Sequence, residues 1–333
     1  MRMIKKLLLF LAFVGVATYL IVGVQTETSN EAFTAPIKIA MSTTPLSSPL
    51  IIAQELSLFD KHKVHVELLP VRGGHRSFTM MSNGEVDLAT SSESVVMFNS
   101  FLRTDFSVLA SFVESDNDLK LITLKSSSIT EAKLLQGKNV GMVESSASEF
   151  FIYAYMILTG NKEVKFNRVF MDASELGPAL LSGRVDAISI WEPLGYQLNK
   201  EYGDQISQFQ TRGIYNLSFN LIAKKATLEN SLNSYVRILA AIDEAQNYIA
   251  ENPKRSKSIV SDFLHIPVTE LEWGWTDYLF RLSLSNVLLS NLQTQARWAI
   301  ATGSVVDTKG MPDFRQLIDT RALERAGNIE TDL

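Results

Sequence analysis

The chain has 333 residues, of which 46% are hydrophobic and 20% are charged, and its formal net charge is −5. This balance is that of an ordinary globular protein of two-domain size, and its acidic character argues against non-specific nucleic-acid binding. The absence of cysteine excludes disulfides, thiolate metal sites, cysteine nucleophiles and lipid attachment through cysteine.

The N-terminus has the pattern of an export signal. Arg2, Lys5 and Lys6 precede an uncharged, mostly apolar run at residues 7–24. This run is longer than a typical signal-peptide core and just long enough to span a bilayer. Because the small-residue cleavage pattern is poor, two alternatives stay open: an inner-membrane anchor and a cleaved signal peptide. Either way we expect a periplasmic or cell-surface protein, in which residues 25–36 form a polar tether.

The elements that follow the tether alternate between strands and helices. Short apolar runs predict strands at residues 37–41, 64–71 and 86–89. Helical spacing predicts helices at 49–59, which has proline in its first turn, and at 75–83. The order β-α-β-α-β implies a parallel sheet with right-handed crossovers.

The same order of elements recurs in the middle of the chain. It predicts strands at residues 139–143, 164–170 and 185–190, and helices at 149–159 and 175–182. Two copies indicate a duplicated architecture rather than a solenoid.

A short motif marks the duplication, Gly84-x-Val86-Asp87 in the first copy and Gly183-x-Val185-Asp186 in the second. In both copies the glycine ends a helix, and Val-Asp begins a strand. Both aspartates therefore fall on the sheet edge away from the ligand side, so we interpret the motif as structural. The ligand site is expected just beyond the strands, at residue 90 in one copy and residue 191 in the other.

The C-terminal third is mainly helical by pattern. After a strand at 217–223, helices are predicted at 232–249, 254–264, 268–279 and 288–302. None of them carries a third copy of the motif, so we expect them to pack on a lobe that already exists.

Several short segments carry a resemblance to a known family. They are residues 49–59, the Gly73-Gly74 loop, residues 84–87, Trp191-Glu192-Pro193, Asn252-Pro253 and residues 298–303. In order and spacing they resemble the periplasmic substrate-binding proteins of the nitrate/sulfonate/taurine ABC-importer group, which includes relatives that bind thiamin-pyrimidine precursors.

The resemblance implies an α/β fold of two similar lobes around a central ligand cleft, the type 2 periplasmic-binding fold. It implies a first lobe of residues 37–124 and 221–333, which carries the extra C-terminal helices, and a second lobe of residues 125–220. Two crossing strands, near residues 125 and 220, would join the lobes and allow them to close.

Candidate ligand contacts follow from the sheet geometry and from the family position of Trp191. In open α/β sheets, ligands bind beyond the carboxyl ends of the strands, where helix N-termini favour an oxyanion. The loops at those ends are rich in Ser, Thr and Gly. The predicted ligand-binding residues are Thr43, Thr44, Gly74, His75, Ser91, Ser92, Ser145, Ser146, Ala147, Asp172, Trp191, Glu192, Tyr215 and Asn216.

Most of these residues also have a structural alternative. A serine before a helix is an ordinary N-cap, as for Ser146, and Trp191 has core packing as its alternative. The basic residues around Gly73-Gly74, His75 among them, either pair with an anion or form a solvated cluster. Tyr215 and Asn216 fit a hinge or a ligand contact, and Glu93 fits a helix cap or a partner for a ligand amine.

The sequence shows no P-loop, no Gly-x-Gly-x-x-Gly, no Ser-His-Asp order and no metal-ligand cluster. We therefore expect a monomeric binding protein without cofactor, metal or nucleic acid, which delivers a small anionic or heterocyclic solute to the permease and ATPase of an ABC importer. Two alternatives stay open. One is an exported sensory protein that reports to a membrane signalling partner. The other is an enzyme on the same fold, although the cysteine-rich segment of the pyrimidine-forming relatives is excluded here.

Overall fold

The computed structural model describes residues 35–305 and 310–327. The export segment predicted at residues 7–24 lies outside the described residues. Within those ranges, no helix combines the length and the apolar character needed to cross a membrane.

The described chain forms two β-sheets with helices packed on them. In chain order the strands are β1 (Ile37–Ser42), β2 (Val66–Val71), β3 (Leu88–Ser92), β4 (Phe106–Ser115), β5 (Leu119–Leu124), β6 (Asn139–Met142), β7 (Asn167–Phe170), β8 (Ala187–Trp191), β9 (Ile206–Gln208), β10 (Leu217–Lys224) and β11 (Tyr278–Leu279). The α-helices are α1 (Ser48–Glu55), α2 (Leu58–Lys61), α3 (Gly74–Asn83), α4 (Glu93–Ser100), α5 (Ala147–Leu158), α6 (Ala173–Leu181), α7 (Leu194–Tyr202), α8 (Lys225–Glu251), α9 (Pro253–Leu264), α10 (Val268–Gly274), α11 (Asn286–Ala301) and α12 (Arg321–Ala326).

The two sheets repeat one plan. The first has the strand order β11-β4-β10-β3-β1-β2, and the second has the order β7-β6-β8-β5-β9. In the first sheet β1 is parallel to β2 and β3, and in the second β6 is parallel to β7 and β8. The fourth strand of each plan is antiparallel to both of its neighbours, β10 in the first sheet and β5 in the second. We call each sheet with its helices a lobe.

The parallel arrangement predicted for three strands is therefore correct in each lobe, and antiparallel strands extend both sheets. The sequence patterns did not identify β4 and β5, which carry the chain from the first sheet into the second. Residues 116–118 connect these two strands, and residues 209–216 connect β9 back to β10. The chain thus changes sheets some residues before the predicted limits near 125 and 220, and β5 belongs to the second sheet.

Two predicted helices differ from the structure. The helix predicted at residues 49–59 is divided into α1 and α2, because Ser57 adopts a left-handed conformation with φ of 54°. The helix predicted at 268–279 ends at Gly274, since Tyr278 instead pairs with β4 as part of β11. The long helix α8 packs against α1 and the first sheet, and α11 packs against α4, so the C-terminal helices lie on the first lobe as expected.

The repeated motif has the same structural role in both lobes. Gly84 and Gly183 follow α3 and α6 with φ of 81° and 75°, values that favour glycine. Asp87 Oδ2 accepts the backbone N–H of Lys38 at 2.8 Å, and Asp186 Oδ2 accepts that of Asn139 at 2.8 Å. Each aspartate therefore fixes the start of the neighbouring parallel strand, on the edge opposite the strand ends where ligands bind.

Candidate functional site

Three strands of the first lobe end side by side. The register pairs Ser42 of β1 with Val71 of β2, and the N–H of Thr43 donates to Val71 O at 2.9 Å. The N–H of Ser42 donates to Thr90 Oγ1 at 3.0 Å, which links β1 to β3. This pairing brings the predicted residues Thr43 and Thr44 to the same edge as Ser91 and Ser92.

Gly73 and Gly74 bring the N-terminus of α3 against β3. Gly73 has φ of 80°, and Gly74 begins the helix. A Cβ on Gly74 would lie 2.7 Å from Ser91 Oγ and 2.8 Å from Ser91 Cα, so only glycine permits this approach. The N-terminal N–H groups of α3 therefore lie beside Ser91, while His75 is exposed on the first turn.

Two hydroxyls at this edge are buried without a partner. Among the described residues, Thr44 Oγ1 and Ser91 Oγ accept and donate no hydrogen bond. The hydroxyl of Ser77, which is close by, instead donates to Ala40 O at 2.6 Å and accepts the N–H of Thr90 at 3.0 Å. Buried polar groups in native proteins are normally paired, so two unpartnered hydroxyls at neighbouring strand ends, one of them beside the N-terminus of α3, indicate a place for a polar ligand.

The serine loop of the second lobe is satisfied internally. Ser146 Oγ donates to Val143 O at 2.7 Å and accepts the N–H of Ser148 at 3.2 Å. The N–H of Ser145 donates to Glu149 Oε2 at 2.9 Å, and Ala147 begins α5. Ser146 thus makes the N-cap that was its structural alternative.

Asp172 also lies at the start of a helix. It precedes α6 and is exposed, and its backbone N–H donates to Glu175 Oε2 at 3.1 Å. This is one half of a capping box. The observed contact of Asp172 is therefore with its own helix.

Trp191 lies at a contact between the two lobes. It ends β8 and is half-buried, and a Cβ on Gly73 would lie 3.9 Å from its Cζ2 atom. The indole ring of the second lobe therefore lies against the glycine loop of the first, and the next residue of that loop, Gly74, packs on Ser91. Predicted residues from the two lobes meet at this point.

Glu192 belongs to a buried ionic cluster. Its Oε1 atom lies 3.6 Å from Lys120 Nζ, and its Oε2 atom accepts the N–H of Tyr196 at 2.8 Å. Burial raises the pKa of Glu192, although Lys120 opposes the shift. Asp118, on the crossing segment, joins the cluster, and its pKa is raised to about 7 by burial first and by Glu192 second. Glu192 Oε1 is buried without a hydrogen-bond partner among the described residues, so the ligand contact predicted for Glu192 stays a prediction.

Tyr215 is buried at the other crossing. Its hydroxyl donates to Glu93 Oε1 and lies 3.0 Å from Ser94 Oγ. Glu93 also accepts Ser218 N–H at 2.9 Å and Gln295 Nε2 at 3.2 Å. Burial raises the pKa of Glu93 to about 7, because these donors only partly offset it. These bonds tie Tyr215 to the first lobe, and its two proposed roles, hinge and ligand contact, stay predictions.

Asn216 is exposed at the same crossing. Its Nδ2 donates to Glu114 Oε2 at 3.1 Å, and its carbonyl oxygen accepts Asn291 Nδ2 at 3.3 Å.

The described residues contain no group of three or more His, Asp or Glu side chains arranged to hold a metal ion. Two open surface pockets, one beside β2 and one beside β9, contain none of the predicted ligand residues.

Comparison with known proteins identifies the family. Residues 44–256, more than half of the chain, match the family model described as "NMT1/THI5 like". The chain belongs to the NMT1/THI5-like family. The resemblance predicted from the sequence is thereby confirmed.

Relatives of this NMT1/THI5-like protein include named solute-binding proteins. A Bacillus subtilis protein named for the binding of aliphatic sulfonates is 22% identical over 220 residues, which are 65% of this chain and 66% of the relative. The alkanesulfonate-binding protein SsuA of Xanthomonas axonopodis pv. citri, bound to MOPS, has a TM-score of 0.76 at 13% identity and covers 86% of this chain and 99% of its own. The periplasmic nitrate-binding protein NrtA of Synechocystis PCC 6803 has a TM-score of 0.70 at 14% identity, with 89% of each chain covered. These structures establish the two-lobed periplasmic-binding-protein fold.

The buried charged residues around the site have little signature in the sequence. Lys120 lies within the apolar strand Leu119–Leu124, and this isolated lysine was the signal that could have revealed the ionic cluster. Glu149 and Arg168, which hold the Ser145 loop, gave no local signal, because Arg168 follows Glu149 by 19 residues and their pairing depends on how β7 packs beside α5.

Proposed function

We propose that this NMT1/THI5-like protein is an exported receptor of an ABC importer, which closes its two lobes on a small solute carrying an oxyanion. The observation that carries the proposal is the pair of buried, unpartnered hydroxyls of Thr44 and Ser91 at the ends of β1 and β3, where α3 begins against Ser91. Hydroxyl and backbone N–H donors suit an anion that is ionised at every physiological pH, such as a sulfonate or nitrate. The names of the sulfonate-binding and nitrate-binding relatives support this ligand class.

In this proposal Trp191 covers the solute from the second lobe. Its flat ring lies against the glycine loop and would offer an apolar surface to the carbon part of a sulfonate. Binding requires no bond to be made or broken. The closed monomer then presents the solute to a membrane permease with its ATPase. The motion we expect is closure of the second lobe, whose sheet contains β5 to β9, against the first lobe.

A thermal-shift screen tests the proposal directly. The probes are MOPS, short alkanesulfonates, taurine, nitrate, carboxylates and pyrimidines. A probe at a hundredfold excess over its dissociation constant should stabilise the protein by about 2.7 kcal/mol. An unchanged melting temperature with every probe would contradict the proposed receptor function.

Replacing Ser91 with alanine should lower the affinity for the ligand without lowering the stability of the fold. We expect affinity for the best sulfonate probe to fall about tenfold or more, because a hydrogen bond to a charged group contributes about 1.5–3 kcal/mol. The free energy of unfolding should hardly change, because the hydroxyl has no protein partner among the described residues. Calorimetric titration and urea unfolding measure the two quantities.

The matched control is Ser77→Ala, the same change in a neighbouring buried hydroxyl. Ser77 bonds both Ala40 O and the N–H of Thr90, so its loss should lower the free energy of unfolding by about 1–3 kcal/mol. If Ser91→Ala destabilises the fold as Ser77→Ala does and leaves affinity unchanged, Ser91 is structural.

Replacing Trp191 with alanine should weaken probe binding about tenfold or more while the protein stays folded. A half-buried ring that covers a ligand contributes mainly to binding. As the control, Trp275→Ala removes a buried ring that packs on Phe280, and it should lower the free energy of unfolding by about 3–5 kcal/mol. Melting temperatures and titrations of both variants distinguish the roles, and equal destabilisation would make Trp191 a core residue.

A further inference from the structure

The Ser145 loop takes its conformation from a carboxylate. Ser145 has φ of 53°, in the left-handed region that non-glycine residues rarely adopt. Its N–H donates to Glu149 Oε2 at 2.9 Å. Ser146 and Glu149 have the spacing of a capping box, but the glutamate reaches one residue further back than the N-cap. The carboxylate therefore stabilises the loop that lies at the end of β6.

Arg168 holds that carboxylate in place. Its Nη1 atom lies 3.1 Å from Glu149 Oε1, and the glutamate side chain is only 2% exposed. Burial raises the pKa of Glu149, while the Ser145 N–H, Arg168 and the Ser304 hydroxyl lower it. Arg168 lies on β7, where its guanidinium also lies 5.7 Å from the centre of the Phe170 ring. Without the guanidinium, the buried charge of Glu149 would lose its one ion-pair partner among the described residues.

The same arginine contacts the first lobe. Its Nη1 atom donates to Ser304 Oγ at 2.7 Å, and the N–H of Ser304 donates to Ala299 O of α11 at 2.9 Å. Helix α11 belongs to the first lobe, since Gln295 bonds Glu93 of α4 and Trp298 packs against Phe98 of α4 with ring centres 6.0 Å apart. A chain of polar contacts thus runs from α11, through Ser304 and Arg168, to Glu149 and the Ser145 loop.

Aromatic rings reinforce this contact between the lobes. Trp298 lies 5.3 Å from Phe150 and 4.9 Å from Tyr153, both on α5. The first turns of α5 are therefore held from one side by Arg168 and from the other by α11. Any separation of α11 from the second lobe would break the Ser304 bond and these ring contacts together.

We propose that Arg168 is a positioning residue, which acts through Glu149 to hold the Ser145 loop in its binding conformation. Because Arg168 also bonds Ser304, that conformation depends on the position of α11 against the second lobe. Contact between the lobes is thereby coupled to the shape of a ligand loop, without any ligand contact by Arg168 itself. The inference rests on the proposed function only in taking the loop as part of the binding site.

Hydrogen exchange of the Ser145 amide, measured by NMR on the whole protein without ligand, tests the relay. Arg168→Met should accelerate exchange about tenfold or more, because an unpaired buried carboxylate takes up a proton more readily and accepts more weakly. Arg168→Lys, which keeps the charge, should restore most of the protection. Ser304→Ala should accelerate exchange in the same direction by a smaller factor.

Arg184→Met is the matched control. Arg184 is an exposed arginine of the same lobe, 3.6 Å from Glu175, and has no link to the Ser145 loop. It should leave Ser145 exchange unchanged. Unchanged exchange in Arg168→Met would overturn the positioning role, and unchanged exchange in Ser304→Ala would overturn the coupling to α11.

Titration with MOPS separates this inference from the proposed function. If MOPS binds, its affinity for Arg168→Met should fall about tenfold or more, and more steeply as the pH is lowered, because Glu149 becomes protonated. Failure of the wild-type protein to bind any sulfonate or nitrate would contradict the proposed function. It would not change the conclusion drawn from hydrogen exchange of the Ser145 amide. Normal MOPS affinity in a folded Arg168→Met variant with fast Ser145 exchange would show that the loop does not contribute to binding.

Discussion

Replacing Lys120 with methionine should lower the free energy of unfolding by about 3–5 kcal/mol, because it leaves buried carboxylates without their cation. The lysine side chain is 2% exposed, and its Nζ atom lies 3.6 Å from Glu192 Oε1. Asp118 is also buried beside it, with one carboxylate oxygen lacking a partner among the described residues. Urea unfolding at pH 8, where both carboxyls ionise most readily, measures the loss.

Lys61→Met is the control for Lys120→Met. Lys61 pairs with Glu244 at 2.5 Å, but its side chain is 63% exposed, so the pair should contribute at most about 1 kcal/mol. Adding Asp118→Asn to Lys120→Met removes one of the two stranded charges and should recover part of the lost stability. A loss below about 1 kcal/mol in Lys120→Met would show that the cluster does not need its cation.

Raising the pH from 5 to 7 should destabilise the protein steadily. Burial raises the pKa values of Glu93 and Asp118 to about 7 from ordinary values of 4.5 and 3.8. Between those values and 7, the folded protein binds protons that the unfolded chain has released. Each group therefore lowers the free energy of unfolding by up to about 1.4 kcal/mol per pH unit, and the effect levels off above pH 7.

Urea unfolding at half-unit pH steps measures this slope. Glu93→Gln should make this slope shallower by the contribution of one carboxyl group, because glutamine does not titrate. Glu244→Gln is the control, since the pKa of Glu244 is lowered by Lys61 and His62 and its contribution is lost only in more acidic solution. Stability that is flat or rises between pH 5 and 7 would contradict the prediction.

Much of the fold could be predicted from local patterns. The strands β1 and β6 and the glycine helix ends at Gly84 and Gly183 are encoded by apolar runs and backbone preferences within a few residues. The strands β4 and β5 were not predicted, and β10 was predicted as a strand at residues 217–223 but without its antiparallel direction. Their position depends on the chain crossing from one sheet to the other, which has no local signature.

The candidate site, too, could be predicted only in part from the sequence. The rule that ligands bind beyond strand ends brought Thr44, Ser91 and Ser146 forward together, because all three follow predicted strands. It did not distinguish between them. The structure shows that Ser146 caps its own helix, whereas the hydroxyls of Thr44 and Ser91 are left without partners among the described residues.

By itself, the sequence determined the duplicated α/β plan, the structural role of the repeated Gly-x-Val-Asp motif and the family, because these depend on short-range periodicity and on segments in a fixed order. Only the tertiary structure decided which polar groups are satisfied. Glu93 shows the reason: it accepts hydrogen bonds from Ser218 and Gln295, which are 125 and 202 residues away in the chain. Whether a buried oxygen is bonded or free for a ligand depends on such distant partners, and these meet only when the chain has crossed back and completed the first lobe.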